Sequence, residues 1–257
     1  MKVVILAGGL GTRLSEETDI KPKPMVEIGG RPILWHIMKL YASQGFKEFI
    51  ICCGYKGHVI KEYFQQYFLH HADVTFDLAA NQMSVHHKTT EDWKVTLVNT
   101  GKDSMTGGRI RRIQPYVKNE RFMLTYGDGL SNINLAELLD FHKNHGKMVT
   151  VTAVQPESRF GVLDINATQQ VQSFMEKPKG ESGWINGGFF ICEPGVFSYL
   201  EGDQTIWERE PLEQIAAAGE LFAFKHSGFW KPMDSLKDKN DLNSMWEKGQ
   251  AEWNIWK

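Results

Sequence analysis

The sequence predicts an α/β fold with a mostly parallel sheet covered on both faces by helices. Short apolar runs of strand type alternate along the chain with segments whose apolar residues recur at 3.6-residue spacing. The chain has 257 residues, of which 42% are hydrophobic and 23% charged, the ordinary mixture of a globular protein. A chain of this size buries roughly 70–75% of its unfolded surface, so it needs no disulfide or metal ion to hold its core.

The strand candidates are short apolar runs, many of them rich in Val, Ile and Phe. They are Val3–Ala7, Phe49–Cys53, Trp93–Val98, Phe122–Thr125, Val149–Val154, Val171–Phe174, Phe189–Cys192 and Leu221–Phe224. Apolar runs of this length, separated by helical segments, are typical of buried parallel strands. The region of about residues 70–103 is the least regular part of the chain.

The helix candidates lie between these strands. Pro32 can begin a helix, since proline suits the first helical position, and one face of this helix carries Ile33, Ile37, Leu40 and Tyr41. A second apolar face is formed by Val59, Ile60, Tyr63, Phe64 and Tyr67. Asn134 followed by Glu137 resembles a capping box, which predicts that a helix opens there and covers Leu135–His145.

One main domain is expected, because no repeat or low-complexity linker interrupts the chain. We assign residues 1–237 to it and residues 238–257 to a C-terminal helix. One face of that helix would carry Leu242, Trp246, Gly249, Trp253 and Trp256. The tryptophans either pack on their own domain or form a subunit interface, where Trp is enriched.

The charge balance excludes some partners. Lys plus Arg (29) nearly equal Asp plus Glu (31), so the electrostatic excess that nucleic acids or anionic membranes attract is missing. The apolar start of the chain is too short for a signal peptide and predicts the buried strand of a cytoplasmic protein. The three cysteines form no CxxC motif and are expected to be reduced and buried.

A glycine-rich loop directly follows the first strand. Gly8, Gly9 and Gly11 would let backbone N–H groups approach an anion, and Arg13 offers a guanidinium that suits phosphate oxygens. The spacing excludes both a Walker loop and a dinucleotide fingerprint, because neither GK[ST] nor GxGxxG is present. Taken alone, this loop is either a phosphate site or a turn with a surface arginine.

Two of the lysines that stand next to prolines are candidate phosphate ligands. Pro22 and Pro24 flank Lys23, and Pro178 follows Lys177. Proline fixes its own φ angle and restricts the preceding residue, so each lysine is carried by a stiff, extended backbone. Lys23 is either a solvated loop charge or a phosphate ligand, and as a loop residue it is expected to add little to stability.

Carboxylates follow two further apolar segments. Asp128 stands between two glycines at the carboxyl end of a predicted strand, where ligands bind in open α/β sheets. Asp234 ends the run Trp230-Lys231-Pro232-Met233-Asp234 and could be a second ligand of the same cation. One or two carboxylates beside phosphates are the usual way in which proteins bind Mg²⁺.

Together these motifs resemble the sugar-1-phosphate nucleotidyltransferases. The shared pattern is G-G-x-G-T-R-L, then P-K-P, G-D, E-K-P, N-G-G and a late W-x-x-x-D, over about residues 1–237. The resemblance implies a Rossmann-like three-layer nucleotidyltransferase fold with a mixed, mostly parallel central sheet. The runs KVVILAGGLGTRLSEET and NQMSVHHKTTEDWKVTLV are similar to family members that use CTP and α-D-glucose 1-phosphate, with Mg²⁺, to make CDP-glucose and pyrophosphate. The resemblance further implies a role in surface-polysaccharide (O-antigen) dideoxysugar synthesis. A homo-oligomer is also expected.

The resemblance also assigns roles to residues. Arg13, Lys23 and Lys177 would be the catalytic cations, and Asp128 and Asp234 would hold Mg²⁺. Lys177 would bind the sugar phosphate. The sugar hydroxyls need polar partners on a close backbone, a role that suits Glu176, Asn186 and Gly187. The nucleotide would contact Leu6, Ala7, Gly8, Gly9, Leu10, Gly11, Thr12, Arg13, Lys23, Ser104, Thr106, Gly107, Arg109 and Asp128.

Two alternatives to this function stay open at the level of sequence. One is the same chemistry with UTP or dTTP, because the residues do not show which groups read the base. The other is a non-catalytic regulatory protein that binds sugar nucleotides. The second is disfavoured, because the five charged residues Arg13, Lys23, Asp128, Lys177 and Asp234 are all present.

Overall fold

The computed structural model describes residues 1–67, 69, 72–86, 91–156, 162–165, 169, 171–175 and 183–256. For Arg13, Ser15 and Glu16, and for residues 162–165 and 171–175, it describes the main chain only. Everything below concerns that part of the chain.

The strands alternate with helices along most of the chain. The strands are β1 (Lys2–Ala7), β2 (Glu27–Ile28), β3 (Arg31–Pro32), β4 (Glu48–Cys53), β5 (Asp73–Asp77), β6 (Gln82–His86), β7 (Lys94–Asn99), β8 (Phe122–Tyr126), β9 (Gly129–Ser131), β10 (Val149–Val154), β11 (Val162–Ile165), β12 (Val171–Met175), β13 (Ile185–Asn186), β14 (Phe190–Cys192), β15 (Leu221–His226) and β16 (Trp230–Pro232). The α-helices are α1 (Ser15–Thr18), α2 (Ile33–Ser43), α3 (Gly57–Gln65), α4 (Thr106–Arg112), α5 (Gln114–Val117), α6 (Leu135–His145), α7 (Glu210–Ala217) and α8 (Leu236–Glu247). Short 3₁₀ turns cover Thr12–Leu14, Lys23–Met25 and Pro194–Tyr199. The extended backbone predicted for Lys23 is therefore wrong, because Pro22 is the extended N-cap and Lys23 begins a 3₁₀ turn in which its carbonyl accepts from the amide of Val26.

The central sheet is mixed and mostly parallel, as predicted. Its strands lie in the order β7-β4-β1-β8-β14-β10-β15, with β13 also beside β10. Strands β7, β4, β1 and β8 are parallel neighbours, whereas β14 is antiparallel to both β8 and β10. The parallel strands therefore end at one edge of the sheet, and the glycine-rich segment after β1 and the segment after β8 both emerge there.

Helices cover both faces of this sheet. Side chains of β1 point alternately to the two faces, so Val3 and Ile5 enter one core cluster while Val4 enters the other. The first cluster also contains apolar residues of α2, α3, α6 and α8, and the second contains residues of α4, α5 and α7. This arrangement is the three-layer architecture that the resemblance implies.

The predicted helix starts are close to the observed ones. Helix α2 begins at Ile33, and Pro32 is its N-cap rather than its first residue, because Pro32 pairs with Glu27 in the β2–β3 hairpin. The side chain of Asn134 accepts hydrogen bonds from the amides of Ala136 and Glu137 and caps α6. The predicted N-cap is therefore present, but Glu137 accepts from the Asn134 side-chain amide at 2.8 Å instead of completing a capping box with the Asn134 backbone.

The C-terminal helix differs from the prediction of 238–257. Helix α8 begins at Leu236 behind a capping box on Ser235 and ends at Glu247, with Gly249 at a φ of +69°. Trp253 lies beyond the helix yet is fully buried in the core. A shared helical face therefore does not explain its burial, which comes from turns that return the chain onto the domain.

Several short pairings had no clear signal in the sequence. The β5–β6 hairpin lies in the region that looked least regular and is mostly exposed. The β9–β16 pair joins distant parts of the chain. None of the described helices combines the length and apolar character that crossing a membrane requires.

Candidate active site

The glycine-rich loop turns sharply where β1 ends. Gly11 has a φ of +67°, and a Cβ atom at this position would stand 2.7 Å from the Thr18 side chain. The Thr18 hydroxyl in turn donates to the carbonyls of Gly11 (3.1 Å) and Leu14 (3.0 Å). The Thr18 side chain therefore stabilises the loop, and only glycine suits the positive φ and the close contact at position 11. Arg13 lies in the 3₁₀ turn at its end, and its side chain is outside the described residues.

Arg109 stabilises this loop through hydrogen bonds of its guanidinium group. Its guanidinium donates to the carbonyls of Gly8 (2.9 Å) and Gly101 (2.7 Å) and to the Thr100 hydroxyl (2.9 Å). A Cβ atom on Gly8 would stand 2.1 Å from that guanidinium, so the close approach here is made by a protein side chain. Burial lowers the pKa of Arg109 from its ordinary value. Its buried charge is held by backbone carbonyls, which join the glycine loop to the turn after β7.

Lys23 lies between the two predicted metal ligands. Its Nζ atom donates to Asp128 Oδ2 at 2.6 Å and to Asp234 Oδ1 at 2.7 Å. Burial by itself would lower the pKa of Lys23, but the attraction and hydrogen bonds of the two carboxylates outweigh burial and raise it. The ammonium group is therefore charged and fixed at the point where both acids converge.

The pairing of β9 with β16 brings the two acids together. Asp128 leaves β8 at the carboxyl edge of the sheet, and its carbonyl accepts a hydrogen bond from the amide of Met233 at 2.8 Å. Asp234 follows directly, between β16 and the capped start of α8. The sequence motifs containing these acids carry no local sign of this contact.

A cleft of about 330 Å³ opens above these groups. The described residues that line it are Leu6, Ala7, Gly8, Gly9, Gly11, Thr12, Lys23, Pro24, Ser104, Met105, Thr106, Arg109, Tyr126, Gly127 and Asp128. The fold thus gathers most of the predicted nucleotide residues around one cavity. Leu10 and Gly107 are not in this lining. Leu10 is exposed, and the side of Gly107 where a Cβ would stand lies against Thr205.

The predicted sugar side is described in part. Asn186 donates to the Tyr126 hydroxyl at 3.1 Å, and its Oδ1 atom accepts from the amide of Gly188 at 2.9 Å. The carbonyl of Gly187 accepts from the Trp230 indole at 2.7 Å. The loop of residues 186–188 is therefore held by hydrogen bonds to two aromatic side chains, Tyr126 and Trp230, of which Tyr126 lines the cleft. Glu176 and Lys177 lie outside the described residues.

Sequence reasoning missed Tyr126 and Met105 in the lining. Tyr126 lines the cleft and stands only two positions before Asp128, in the same sequence run. A polar aromatic residue at the end of a predicted strand is the sequence signal that could have indicated it. Burial, and then the nearby carboxylate of Glu208, raise the pKa of Tyr126. Its hydroxyl is a neutral hydrogen-bonding group that joins the cleft lining to Asn186, on the predicted sugar side.

Comparison with known proteins identifies the family. The nucleotidyl transferase family model matches residues 2–231. The chain belongs to the nucleotidyl transferase family. It is 62% identical to the glucose-1-phosphate cytidylyltransferase of Salmonella typhimurium, over the full length of both chains. It is also 46% identical to a probable glucose-1-phosphate cytidylyltransferase of Bacillus subtilis, again over both full lengths.

Solved structures share the fold of this nucleotidyltransferase. HddC from Yersinia pseudotuberculosis has a TM-score of 0.70 and 24% identity, and the match covers 95% of this chain and 99% of that one. A UDP-glucose pyrophosphorylase complexed with UDP-glucose has a TM-score of 0.69 and 17% identity, covering 96% and 98%. At these identities the two structures show that the three-layer fold is shared.

The residues of this nucleotidyltransferase fit a divalent cation. Asp128 and Asp234 already direct one carboxylate oxygen each at a single positive group, the Lys23 ammonium. Hard anionic oxygens in this number suit Mg²⁺, whose other ligands are phosphates and water. Among the described side chains no group of three or more His, Cys, Asp or Glu converges, so the nucleotide would have to complete the coordination.

Proposed function

We propose that this chain transfers the cytidylyl group of CTP to α-D-glucose 1-phosphate, giving CDP-glucose and pyrophosphate. The observation that carries the proposal is the convergence of Lys23, Asp128 and Asp234 at the edge of a cleft that the glycine loop also lines. The choice of CTP and glucose 1-phosphate follows the full-length relatives named above.

The reaction needs positioning and charge neutralisation more than proton transfer. The second phosphate pKa is about 6, so the sugar phosphate is already ionised near pH 7. Its oxygen forms a bond to the α-phosphorus of CTP, and the bond to the bridging oxygen breaks in line and releases pyrophosphate. No general base is required, so the work of the protein is to align two polyanions and neutralise their charge.

The cations of this chain carry out that neutralisation in our proposal. Arg13 and Lys23 would face the triphosphate, and Lys177 would face the sugar phosphate. Glu176, Asn186 and Gly187 would bind sugar hydroxyls. Asp128 and Asp234 would hold Mg²⁺, which when bound neutralises charge on the triphosphate and the departing pyrophosphate. We further propose that the protein acts as a cytoplasmic homo-oligomer.

Pyrophosphate release across a substrate panel tests the function. CTP, UTP, dTTP, ATP and GTP would each be paired with glucose 1-phosphate and mannose 1-phosphate, with Mg²⁺ or with EDTA. We expect the highest kcat/KM for CTP with glucose 1-phosphate, and loss of turnover in EDTA. A higher kcat/KM for UTP or dTTP would instead support the alternative in which the same chemistry uses one of those nucleotides. Tight binding of CDP-glucose with no turnover would instead indicate a regulatory protein.

A further inference from the structure

A glutamate outside the cleft lining connects the two sides of the cleft. Glu208 is half-buried and precedes α7. Its Oε1 atom accepts a hydrogen bond from the Tyr126 hydroxyl at 2.7 Å, and its Oε2 atom accepts one from the Thr106 hydroxyl at 2.6 Å. One carboxylate therefore holds two side chains that line the cleft.

The two partners of Glu208 belong to different halves of the site. Thr106 is the first residue of α4, on the proposed nucleotide side, and its hydroxyl also accepts from the Trp207 amide at 2.9 Å. Tyr126 ends β8, and its hydroxyl accepts from Asn186 on the proposed sugar side at 3.1 Å. The hydrogen-bonded chain Thr106–Glu208–Tyr126–Asn186 thus connects two residues of the cleft lining with Asn186, on the proposed sugar side.

The chemistry of a carboxylate matters at this point. Both hydroxyls donate, and an ionised carboxylate can accept from both because it has no proton of its own. Such charge-assisted bonds are about twice as strong as neutral ones. An amide in the same place would present one N–H₂ group to a hydroxyl. Substitution of Glu208 by Gln therefore keeps the size of the side chain but breaks one link or forces the hydroxyl that faces the amide N–H₂ group to reorient.

We propose that Glu208 is a positioning residue that fixes the spacing between the nucleotide half and the sugar half of the cleft. The inference rests on the proposed function, since it assumes that two substrates meet there. In-line attack needs the reacting atoms about 3–3.5 Å apart and aligned. We call the hydrogen-bonded chain Thr106–Glu208–Tyr126–Asn186 the bridge. If a hydrogen bond of Glu208 in this bridge is lost, the two halves can shift relative to each other, which misaligns the two substrates while each half keeps its own contacts.

Binding of a ligand that spans both halves tests the proposal. The probes are CTP, which occupies one half, and CDP-glucose, which occupies both, measured by titration calorimetry on the full chain. For Glu208→Gln we expect CDP-glucose affinity to fall about tenfold, while CTP affinity changes less than about twofold. In turnover, kcat should fall by a similar factor with KM for CTP nearly unchanged. Glu213→Gln, an exposed glutamate in the first turn of α7, is the matched control and should change neither ligand's affinity.

A double-mutant cycle with Tyr126→Phe locates the effect in the bridge. Since Tyr126 is the next link, the double variant should lose little more than the worse single variant. Equal losses for CTP and CDP-glucose, accompanied by a lower Tm, would overturn the proposal in favour of a merely structural glutamate. Unchanged affinities would overturn it as well. A wild-type chain that binds CDP-glucose without turnover would refute the proposed function, yet the affinity difference would still support the bridge.

Discussion

Lys23 is a positive charge held between two acids inside the fold. Sequence reasoning expected a loop lysine to add little to stability, but this side chain is largely buried and forms both ion pairs. If it is removed, Asp128 and Asp234 face each other without a counter-charge. Removing one partner from a buried ionic cluster is costly, because the remaining charge stays desolvated.

Lys23→Met should therefore affect both activity and stability. We expect kcat/KM to fall at least about 100-fold, equivalent to ~2.7 kcal/mol of transition-state stabilisation. In EDTA the free energy of unfolding should fall by about 2 kcal/mol, and Mg²⁺ should restore part of it. Lys21→Met is the control, because Lys21 lies in the same segment in a half-exposed pair with Glu27. A native rate for Lys23→Met would identify Lys23 as a bystander.

His36 is a buried histidine that the fold keeps neutral. Its Nε2 atom lies 2.8 Å from the carbonyl of Ile28, and its Nδ1 atom accepts from the Trp253 indole at 3.3 Å. One ring nitrogen must donate and the other must accept, which is the neutral form. Burial, with a smaller contribution from Arg31, lowers the pKa of His36 from 6.5 to about 4.

This shift predicts a loss of stability in acid. Between pH 6.5 and 4 the unfolded chain binds a proton at His36 that the folded chain does not, so stability falls as the pH falls. The contribution reaches about 3 kcal/mol at the lower end. Denaturant unfolding at pH 7 and pH 5 should show a smaller pH dependence for His36→Gln than for wild type. His58→Gln, an exposed histidine, should keep the wild-type slope; the same slope in both variants would contradict the assignment.

At the scale of elements, the turns after α8 belong to the core. Trp253 is fully buried, with its ring 5.5 Å from that of Phe229 and 6.1 Å from that of His36. Trp246 packs against Gly29, where a Cβ atom would stand 2.1 Å from the indole. These aromatic contacts join the end of the chain to α2 and the β2–β3 hairpin within the same molecule.

Truncating this contact should lower stability. Trp253→Ala is expected to lower the free energy of unfolding by about 3–5 kcal/mol, because it removes a large side chain from a packed core. Ile255→Ala, which changes a side chain 41% exposed on the same turn, should stay within about 0.5 kcal/mol of wild type. Thermal unfolding compares the two, with sedimentation measured alongside. A dissociated oligomer with unchanged Tm would instead place Trp253 at a subunit contact.

At the scale of the whole molecule, the site depends on the order of strands in the sheet. Strands β1 and β8 are parallel neighbours, so the glycine loop and Asp128 emerge side by side. The β9–β16 pair then delivers Asp234 from far along the chain. Lys23, Asp128 and Asp234 meet because segments that are distant in the sequence converge beside the cleft.

This dependence predicts strong coupling between the two acids. Asp128→Asn and Asp234→Asn should each depress kcat and raise the Mg²⁺ concentration needed for half-maximal rate, since an amide keeps the shape but loses the charge. The double variant should lose much less than the product of the single losses, because partners in one site act as a unit. Small additive effects with unmoved Mg²⁺ dependence would remove both residues from the cation site.

The sequence alone determined the fold class and most of the nucleotide side. Short apolar runs predicted the central strands and apolar periodicity predicted α2 and α3, because burial on a sheet or helix face leaves a local pattern. The cap residue Asn134 predicted α6. The glycine loop, Lys23 and Asp128 were predicted for a similar reason, since glycine, proline and strand ends constrain the backbone locally. The length of the C-terminal helix was overestimated, because a face of tryptophans looks the same whether the chain continues as a helix or turns back.

Only the tertiary structure decided which of these groups meet. The Lys23 contact with Asp128 and Asp234, the bracing of Gly8 by Arg109 and the bridge through Glu208 all join residues far apart in sequence. Such contacts leave no periodicity, because each depends on strand order and on short pairings such as β9 with β16. A local pattern records how a segment buries itself, whereas a site between segments is set by how the whole chain closes.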